Sequence, residues 1–219
     1  MTVKVLIADD HDIVREGIKM ILEEDSGIEV VGQVNDGRLA LEVIPELKPD
    51  VVVMDITMPD LNGIEATRRI ERDFPKVKII GLSMHSSRRV IKEMLEAGAD
   101  GYLIKNSTMK ELRDAIYAVN NGKKFLSSQI TGDVIFEYLK PSDVEEDKPY
   151  IWMLTGRERE VLQLLCEGFS NRHIATKLDV SDRTIEAHRA NIMRKLKIHN
   201  LAGLTKFAIR EGLTSLEPK

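Results

Sequence analysis

Val51-Val52-Val53-Met54-Asp55 is the stretch that decides the fold, because four apolar residues end in an acid. Three further apolar runs end in a polar group, at the pair Asp9-Asp10, at Ser83 and at Lys105. Short apolar, β-branched runs of this kind are typical of strands buried on both faces. No packing requirement places acids, a hydroxyl and an ammonium at four strand ends. These five residues are therefore the first candidates for a functional site.

Segments of helical period alternate with these strands, and a fifth strand is predicted at residues 29–34. Strand and helix therefore alternate five times over about 120 residues. This pattern predicts an α/β unit, a flavodoxin-like, doubly wound sheet of five parallel strands with helices on both faces. Ligand sites of such sheets lie at the carboxyl ends of the strands, where the five polar residues are expected to converge.

Length and composition limit the classes of protein. The chain has 219 residues, 42% of them hydrophobic, which is enough for two modest domains with a core each. No stretch approaches 18 uncharged apolar residues and the N-terminus leads directly into a strand, so we expect neither a membrane span nor a signal peptide. The single cysteine, Cys166, lies among leucines and is expected to be a small core residue. A reduced, cytoplasmic location fits.

Charge is distributed unevenly along the chain. The net charge is about −4 for residues 1–130, −4 for residues 131–149 and +4 for residues 150–219. Only the C-terminal part is therefore suited to a polyanion.

The charge pattern also indicates a boundary between domains. Two prolines frame an acidic run at residues 141–149, which is typical of a solvated linker, and an amphipathic stretch at residues 130–139 precedes it. We predict a first domain at residues 1–122, a linker with a helix at residues 123–150 and a second domain at residues 151–219.

The acids predict a cation site. Carboxylates close together repel one another unless a cation joins them, and hard oxygen ligands suit Mg²⁺. Asp10 and Asp55 are the expected direct ligands, with Asp9 acting through water and the backbone carbonyl of Thr57 completing the set.

The same residues predict a phosphoryl-acceptor site. Asp55 would be an ionised nucleophile, and Ser83 and Lys105 would bind the phosphoryl oxygens. Plainer interpretations exist for each residue alone: the acid pair at residues 9–10 could cap a helix, and the others could be ordinary turn or loop residues. The convergence of all five favours the site.

The order of these motifs along the chain resembles that in the receiver domain of two-component response regulators. The matching segments are the acid pair, residues 55–63 (Asp-Ile-Thr-Met-Pro-Asp-Leu-Asn-Gly), Ser83 and residues 99–105 (Ala-Asp-Gly-Tyr-Leu-Ile-Lys). The resemblance covers about residues 1–122 and implies that Asp55 accepts a phosphoryl group from a sensor histidine kinase, with Mg²⁺ required.

The resemblance also implies a switch residue. Tyr102 would turn inward as Ser83 moves onto the phosphoryl group. Without the resemblance, Tyr102 would be interpreted as an aromatic residue at the sheet edge. The sequence departs from many receivers at one position, since Asn106 and not proline follows Lys105.

The C-terminal part contains helix start signals in close succession. Thr155 and Glu158 form the Thr-x-x-Glu pattern of a capping box, with apolar residues of helical spacing after it. Ser170 and Ser181 can cap two further helices, joined by a short turn at residues 179–180. Two helices joined by a tight turn, the second rich in cations, predict a helix-turn-helix.

Residues 154–196 resemble the four-helix DNA-binding domain of the LuxR family. The similar segments are residues 170–175 (Ser-Asn-Arg-His-Ile-Ala) and residues 181–192 (Ser-Asp-Arg-Thr-Ile-Glu-Ala-His-Arg-Ala-Asn-Ile), and Gly156 replaces a frequent proline. The resemblance implies a recognition helix at residues 182–197. A basic helix alone would more simply be a solvated face.

The resemblance assigns DNA contacts along this helix. Glu186, Ala187 and Ala190 would face base edges, with Glu186 accepting from cytosine and the alanines touching thymine methyl groups. Contacts to the DNA backbone are expected from Arg183, Thr184, Arg189, Asn191, Arg194 and Lys195. His188 is expected to be packed or to face a phosphate.

The last helix, at residues 201–211, resembles the family's dimerisation helix. The residues concerned are Leu201, Leu204, Phe207 and Ala208. These residues could equally form a fourth element of the core, and both interpretations can hold.

Together the resemblances indicate the NarL/FixJ group of response regulators. They imply that phosphorylation of Asp55 switches dimerisation and binding to double-stranded promoter DNA. The implied partners are a sensor histidine kinase and a second copy of the chain, and contact with RNA polymerase is left open. The chain is then a phosphoacceptor transcription factor and not an enzyme, its only chemistry being its own phosphorylation and slow dephosphorylation.

Two alternatives remain open from the sequence. The receiver could be a phosphorylation-independent dimerisation scaffold, although the intact acidic pocket counts against this. An enzyme in which Asp55 turns over phosphate esters is disfavoured, because no cap insertion and no second catalytic acid follow Asp55 at short spacing.

Overall fold

The computed structural model describes residues 2–84, 88–131 and 150–214. It divides into two compact units, residues 1–140 and 141–219. The predicted linker helix at residues 130–139 and the acidic run after it lie almost entirely outside the described residues. The predicted domain limits therefore stay a prediction.

The first unit contains one sheet of parallel strands in the order β2-β1-β3-β4-β5-β6. The strands are β1 Val3–Ala8, β2 Ile28–Val34, β3 Val51–Asp55, β4 Lys78–Ser83, β5 Gly101–Ile104 and β6 Phe125–Leu126. The predicted doubly wound α/β architecture is confirmed. Among the residues that the structure describes, the strand number is corrected from five to six, because β6 has only two residues and is too short to produce a strand pattern in the sequence.

Helices cover both faces of this sheet. They are α1 Asp12–Glu23, α2 Gly37–Leu47, α3 Gly63–Asp73, α4 Arg88–Glu96 and α5 Met109–Asn120. Apolar residues of α2, α3 and α4 form a core with one face, and those of α1 and α5 form a core with the other. With both faces covered, the central strands read as continuous apolar runs, and every residue of β3 is buried.

The second unit is helical. A 3₁₀ helix at Tyr150–Met153 precedes four α-helices, α6 Gly156–Cys166, α7 Asn171–Lys177, α8 Asp182–Leu196 and α9 Leu201–Arg210. Side chains cap all four, and the predicted capping box of Thr155 and Glu158 is present. This confirms the helical class predicted for the C-terminal domain.

Cys166 packs against the core of this second unit. Burial raises the pKa of its thiol to about 11, as expected of a core residue and not of a reactive thiol. Within the described parts of both units, no helix is long and apolar enough to cross a membrane.

Candidate phosphoacceptor pocket and nucleic-acid interface

The sheet brings the polar residues at four strand ends together. Its register places Asp55 beside the end of β4 and Ser83 beside the end of β5. Lys105 Nζ lies 2.7 Å from Asp9 Oδ2 and 2.8 Å from Asp55 Oδ2. The side chains of Asp9, Asp55 and Ser83 are buried, with 0%, 3% and 3% of each residue exposed. One ammonium therefore joins two buried carboxyl groups at the carboxyl edge of the sheet.

Burial dominates the electrostatics of this pocket. It raises the pKa of Asp55 to about 7, although the nearby Lys105 ammonium acts in the opposite direction. Burial also raises the pKa of Asp10, which is the more exposed acid of the pair. For Lys105, burial is outweighed by the charges and hydrogen bonds of Asp55 and Asp9, so its pKa is raised. The Lys105 ammonium therefore stays charged next to the carboxyl groups of Asp9 and Asp55.

The acids are close enough to share a cation. Ligand atoms of Asp9, Asp10, His11 and Asp55 all lie within 4.8 Å of one another. Lys105 engages the Oδ2 atoms of Asp9 and Asp55, which leaves their Oδ1 atoms on another side. Carboxylate oxygens are the ligands that Mg²⁺ prefers, so the residues fit this ion. A bound divalent cation would offset the charge of the carboxylates and of an incoming phosphoryl group.

Two further residues lie close to the acids. Thr57 donates its N–H to Asp55 Oδ1 at 3.4 Å, and the role of its carbonyl as a ligand stays a prediction. His11 was missed by the sequence reasoning. Its signal was its position directly after two acids that were already candidates for cation ligands.

Tyr102 lies in the interior and not at a sheet edge. Its exposed fraction is 0%, because β6 pairs with β5 and matches Leu126 to Tyr102. Burial raises the pKa of its hydroxyl to about 12, and a hydrogen bond with Ser83 acts against this rise. Tyr102 therefore adopts an inward position in contact with the hydroxyl predicted to bind a phosphoryl group.

The loop after β3 holds Asp55 in place through its backbone. Gly63 donates its N–H to the carbonyl of Ile56 at 2.9 Å, and Asp60 adopts a positive φ of 62°. A Cβ added at Gly63 would lie 2.0 Å from the carbonyl oxygen of Asp55. Only glycine permits this close approach between the start of α3 and the strand that ends in Asp55.

Helix α8 separates buried apolar residues from an outward face. Ile185 and Ile192 are fully buried in the core of the second unit. Glu186, Ala187 and Ala190, the residues predicted to face base edges, are all exposed. These three positions therefore present one carboxyl group and two methyl groups at the surface of the helix.

The residues predicted to contact the DNA backbone differ in their exposure. Arg183 and Arg194 are exposed, whereas Thr184, His188, Arg189, Asn191 and Lys195 are partly buried. Lys195 Nζ lies 2.6 Å from Glu158 Oε2 in α6. Burial alone would raise the pKa of Glu158, but the bonds from Lys195 and from the Thr155 N–H lower it. Lys195 is thus engaged within its own unit, and Arg183 and Arg194 are the better-presented cations.

The four residues predicted for a dimer interface divide between core and surface. Leu204, Phe207 and Ala208 are 0%, 5% and 0% exposed and pack in the core of the second unit. Leu201 is 41% exposed. The core interpretation therefore describes three of these residues, and Leu201 is the one of the four that a second copy can reach.

The fold and the pocket define a class of protein, one that joins an α/β phosphoacceptor unit to a helical unit of the DNA-binding type. Residues 5–117 match the family described as Response regulator receiver domain, and residues 153–208 match Bacterial regulatory proteins, luxR family. The chain belongs to the response regulators that carry a LuxR-type DNA-binding domain.

Several relatives align with this chain over almost their whole length. Transcriptional regulatory protein DegU of Brevibacillus brevis is 35% identical, over 96% of this chain and 94% of its own length. Response regulator protein VraR of Staphylococcus aureus is 34% identical, over 97% and 99%. Among solved structures, the RcsB response regulator of Salmonella typhimurium has a TM-score of 0.58 and 30% identity, covering 94% of this chain and 97% of that one. RcsB dimers have also been solved bound to DNA.

Proposed function

We propose that Asp55 accepts a phosphoryl group from the phosphohistidine of a sensor kinase, and that this modification switches dimerisation and promoter binding. The observation that carries the proposal is the buried contact of Asp55 with Lys105 at 2.8 Å, beside two further acids and the hydroxyl of Ser83. The carboxylate supplies the nucleophile, and the ammonium and hydroxyl bind the phosphoryl oxygens. Asp9, Asp10 and Asp55 would hold Mg²⁺, with the Thr57 carbonyl as a further ligand.

The switch is proposed to use Ser83 and Tyr102. The two side chains are already hydrogen-bonded, so a phosphoryl group that draws Ser83 toward Asp55 changes the partner of the buried tyrosine. A ligand shifts an equilibrium only by its differential affinity for the two states. The bonds from Ser83 and Lys105 to the phosphoryl group supply that difference.

The second unit is proposed to bind double-stranded promoter DNA through α8. Glu186, Ala187 and Ala190 would face the bases, because all three are exposed on the same helix. Phosphate contacts are assigned first to Arg183 and Arg194, and then to Thr184, Arg189 and Asn191, with His188 beside them. The homologous RcsB, whose dimers bind DNA, supports a dimer as the binding form.

A phosphorylation-independent scaffold is the competing function. It would need no reactive groups in the pocket, yet the acids, the ammonium and the hydroxyl are all assembled here, and the ammonium lies within hydrogen-bonding distance of two of the acids. Asp55 is proposed to undergo only its own phosphorylation and slow dephosphorylation, without multiple-turnover hydrolysis of phosphate esters.

The test is to measure DNA binding and oligomeric mass for the wild type and Asp55→Ala, each with and without Mg²⁺ and a small-molecule phosphodonor. We expect the donor to raise the dimer fraction and DNA affinity only when Asp55 and Mg²⁺ are both present. Equal binding by the two proteins, without response to the donor, would establish the scaffold function instead.

A further inference from the structure

His11 is held against the acid pair by both its backbone and its ring. Its N–H donates to Asp9 Oδ1 at 2.9 Å. Its Nδ1 lies 2.9 Å from Asp10 Oδ1 and 3.3 Å from Asp9 Oδ1. His11 is also the N-cap residue of α1, but its side chain makes no capping bond to the helix. The ring is therefore oriented toward the carboxylates and not toward the helix that it precedes.

Lys105 and His11 contact different carboxylate oxygens of the pocket. Lys105 contacts the Oδ2 atoms of Asp9 and Asp55, whereas His11 contacts the Oδ1 atoms of Asp9 and Asp10. The lysine is almost fully buried, and the His11 side chain is 43% exposed. The side of the pocket that a cation can reach is thus the side that carries the imidazole.

We propose that His11 supplies a nitrogen ligand to the divalent cation of this pocket, so that the site favours Co²⁺ or Zn²⁺ more strongly than its carboxylates alone would. The inference rests on the proposed function, since it concerns the same cation site. Ligand atoms of His11, Asp9, Asp10 and Asp55 lie within 4.8 Å of one another, and opposite ligands at bonds of about 2.1 Å would be about 4.2 Å apart, so a small contraction suffices.

The chemistry of the donors explains the selectivity. Mg²⁺ prefers oxygen ligands and keeps several waters, so it gains little from an imidazole. Imidazole nitrogen suits Zn²⁺ and similar first-row cations, which any mixed nitrogen and oxygen site already binds more tightly than Mg²⁺. The relevant quantity is therefore the change in the Co²⁺ to Mg²⁺ affinity ratio when His11 is replaced.

The experiment measures Co²⁺ and Mg²⁺ affinity by calorimetry in the full-length wild type, His11→Asn and His173→Asn, all at the same pH. His173 is exposed on α7 and serves as the matched control. We expect His11→Asn to weaken Co²⁺ binding at least tenfold and Mg²⁺ binding less than threefold, with the control unchanged. The visible Co²⁺ spectrum should change in the same variant alone.

Three results would overturn the inference. Equal weakening of both cations would make His11 a residue that only positions the acids, and unchanged binding of both would give it no role at the site. Retention of tight Co²⁺ binding in Asp55→Ala with Asp10→Asn would place the cation elsewhere. Whether the wild type accepts a phosphoryl group in Mg²⁺ is measured separately, so failure of the proposed function is distinguished from failure of this inference.

Discussion

Ser127 donates its backbone N–H to the carbonyl oxygen of Tyr102 at 2.9 Å. The chain that leaves the sheet is therefore hydrogen-bonded to the strand that carries the buried tyrosine. Ile130, with 0% exposure, packs in the same core as Tyr102, and Ser127 Oγ lies 3.4 Å from Ser107 Oγ. A displacement of Tyr102 would act directly on the segment that leads toward the DNA-binding domain.

Removing the Ser127 backbone N–H should weaken the effect of phosphorylation at the pocket on DNA affinity. Ser127→Pro lacks the N–H, whereas Ser127→Ala keeps it and serves as the control. We expect the proline variant to accept a phosphoryl group but to show a several-fold smaller increase in DNA affinity after treatment with a phosphodonor. The measurement compares DNA affinity with and without donor at equal phosphorylation, determined by mass spectrometry. An identical response from the two variants would exclude the link.

Substitution by alanine at two glycines should change the stability of the protein in opposite directions. Gly63→Ala places a Cβ against the Asp55 carbonyl, so the strand end or α3 must move, at a cost of about 1–3 kcal/mol. Gly17 lies within α1, and a Cβ added there would meet nothing within 4 Å, so Gly17→Ala should stabilise by about 0.5–1 kcal/mol. Urea unfolding measures both, and phosphorylation of Asp55 should slow only in Gly63→Ala. Equal stability of the two variants would contradict the close approach.

Lys195 should contribute to the fold of the DNA-binding domain more than to DNA contact. Lys195→Ala leaves the buried Glu158 carboxylate without its cation, at a cost of about 1–3 kcal/mol in unfolding free energy. Arg183→Ala removes an exposed cation and should reduce the slope of log affinity against log salt by about 1. Thermal unfolding and DNA binding over a salt series check both. A reduced slope in Lys195→Ala with unchanged stability would reassign it to phosphate contact.

Asp55→Asn should stabilise the protein in EDTA, and more so at pH 8 than at pH 5. The folded-state pKa of Asp55, about 7, is above the ordinary pKa of 3.8 for this side chain, so the fold favours the protonated acid. The contribution of this protonated acid to the free energy of unfolding is fully present below the unfolded-state pKa of 3.8, and it is lost as the pH rises from there through the folded-state pKa of about 7. The asparagine variant avoids that loss, and 1 kcal/mol corresponds to roughly 4 °C in Tm. A gain in Tm that is independent of pH would contradict the shifted pKa.

The sequence predicted the features that depend on local pattern. Strands such as β3 are continuous apolar runs, and the Thr155 capping box is a four-residue signal, so both were readable without tertiary information. The convergence of Asp9, Asp55, Ser83 and Lys105 followed from one rule about the carboxyl ends of parallel strands. The role of each at the pocket remains proposed.

Features that depend on long-range packing were not predictable in this way. Glu158 and Lys195 are separated by 37 residues, and no local pattern links them. A helical period shows that Leu204 and Phe207 share a face, but it cannot distinguish a face against the core from one against a second copy. Tyr102 was a similar case, since only the short β6 removes it from the sheet edge.

On α8, the residues that hold the helix in its core and the residues proposed to read DNA are different sets. Ile185, Ile192 and Leu196 are buried, whereas Glu186, Ala187 and Ala190 are exposed. Changes at the second set leave the scaffold intact, so duplicated copies of such a gene can diverge in the promoters they control without first losing a folded product. The same separation makes these three positions the natural ones to randomise when a regulator with a new operator is to be selected.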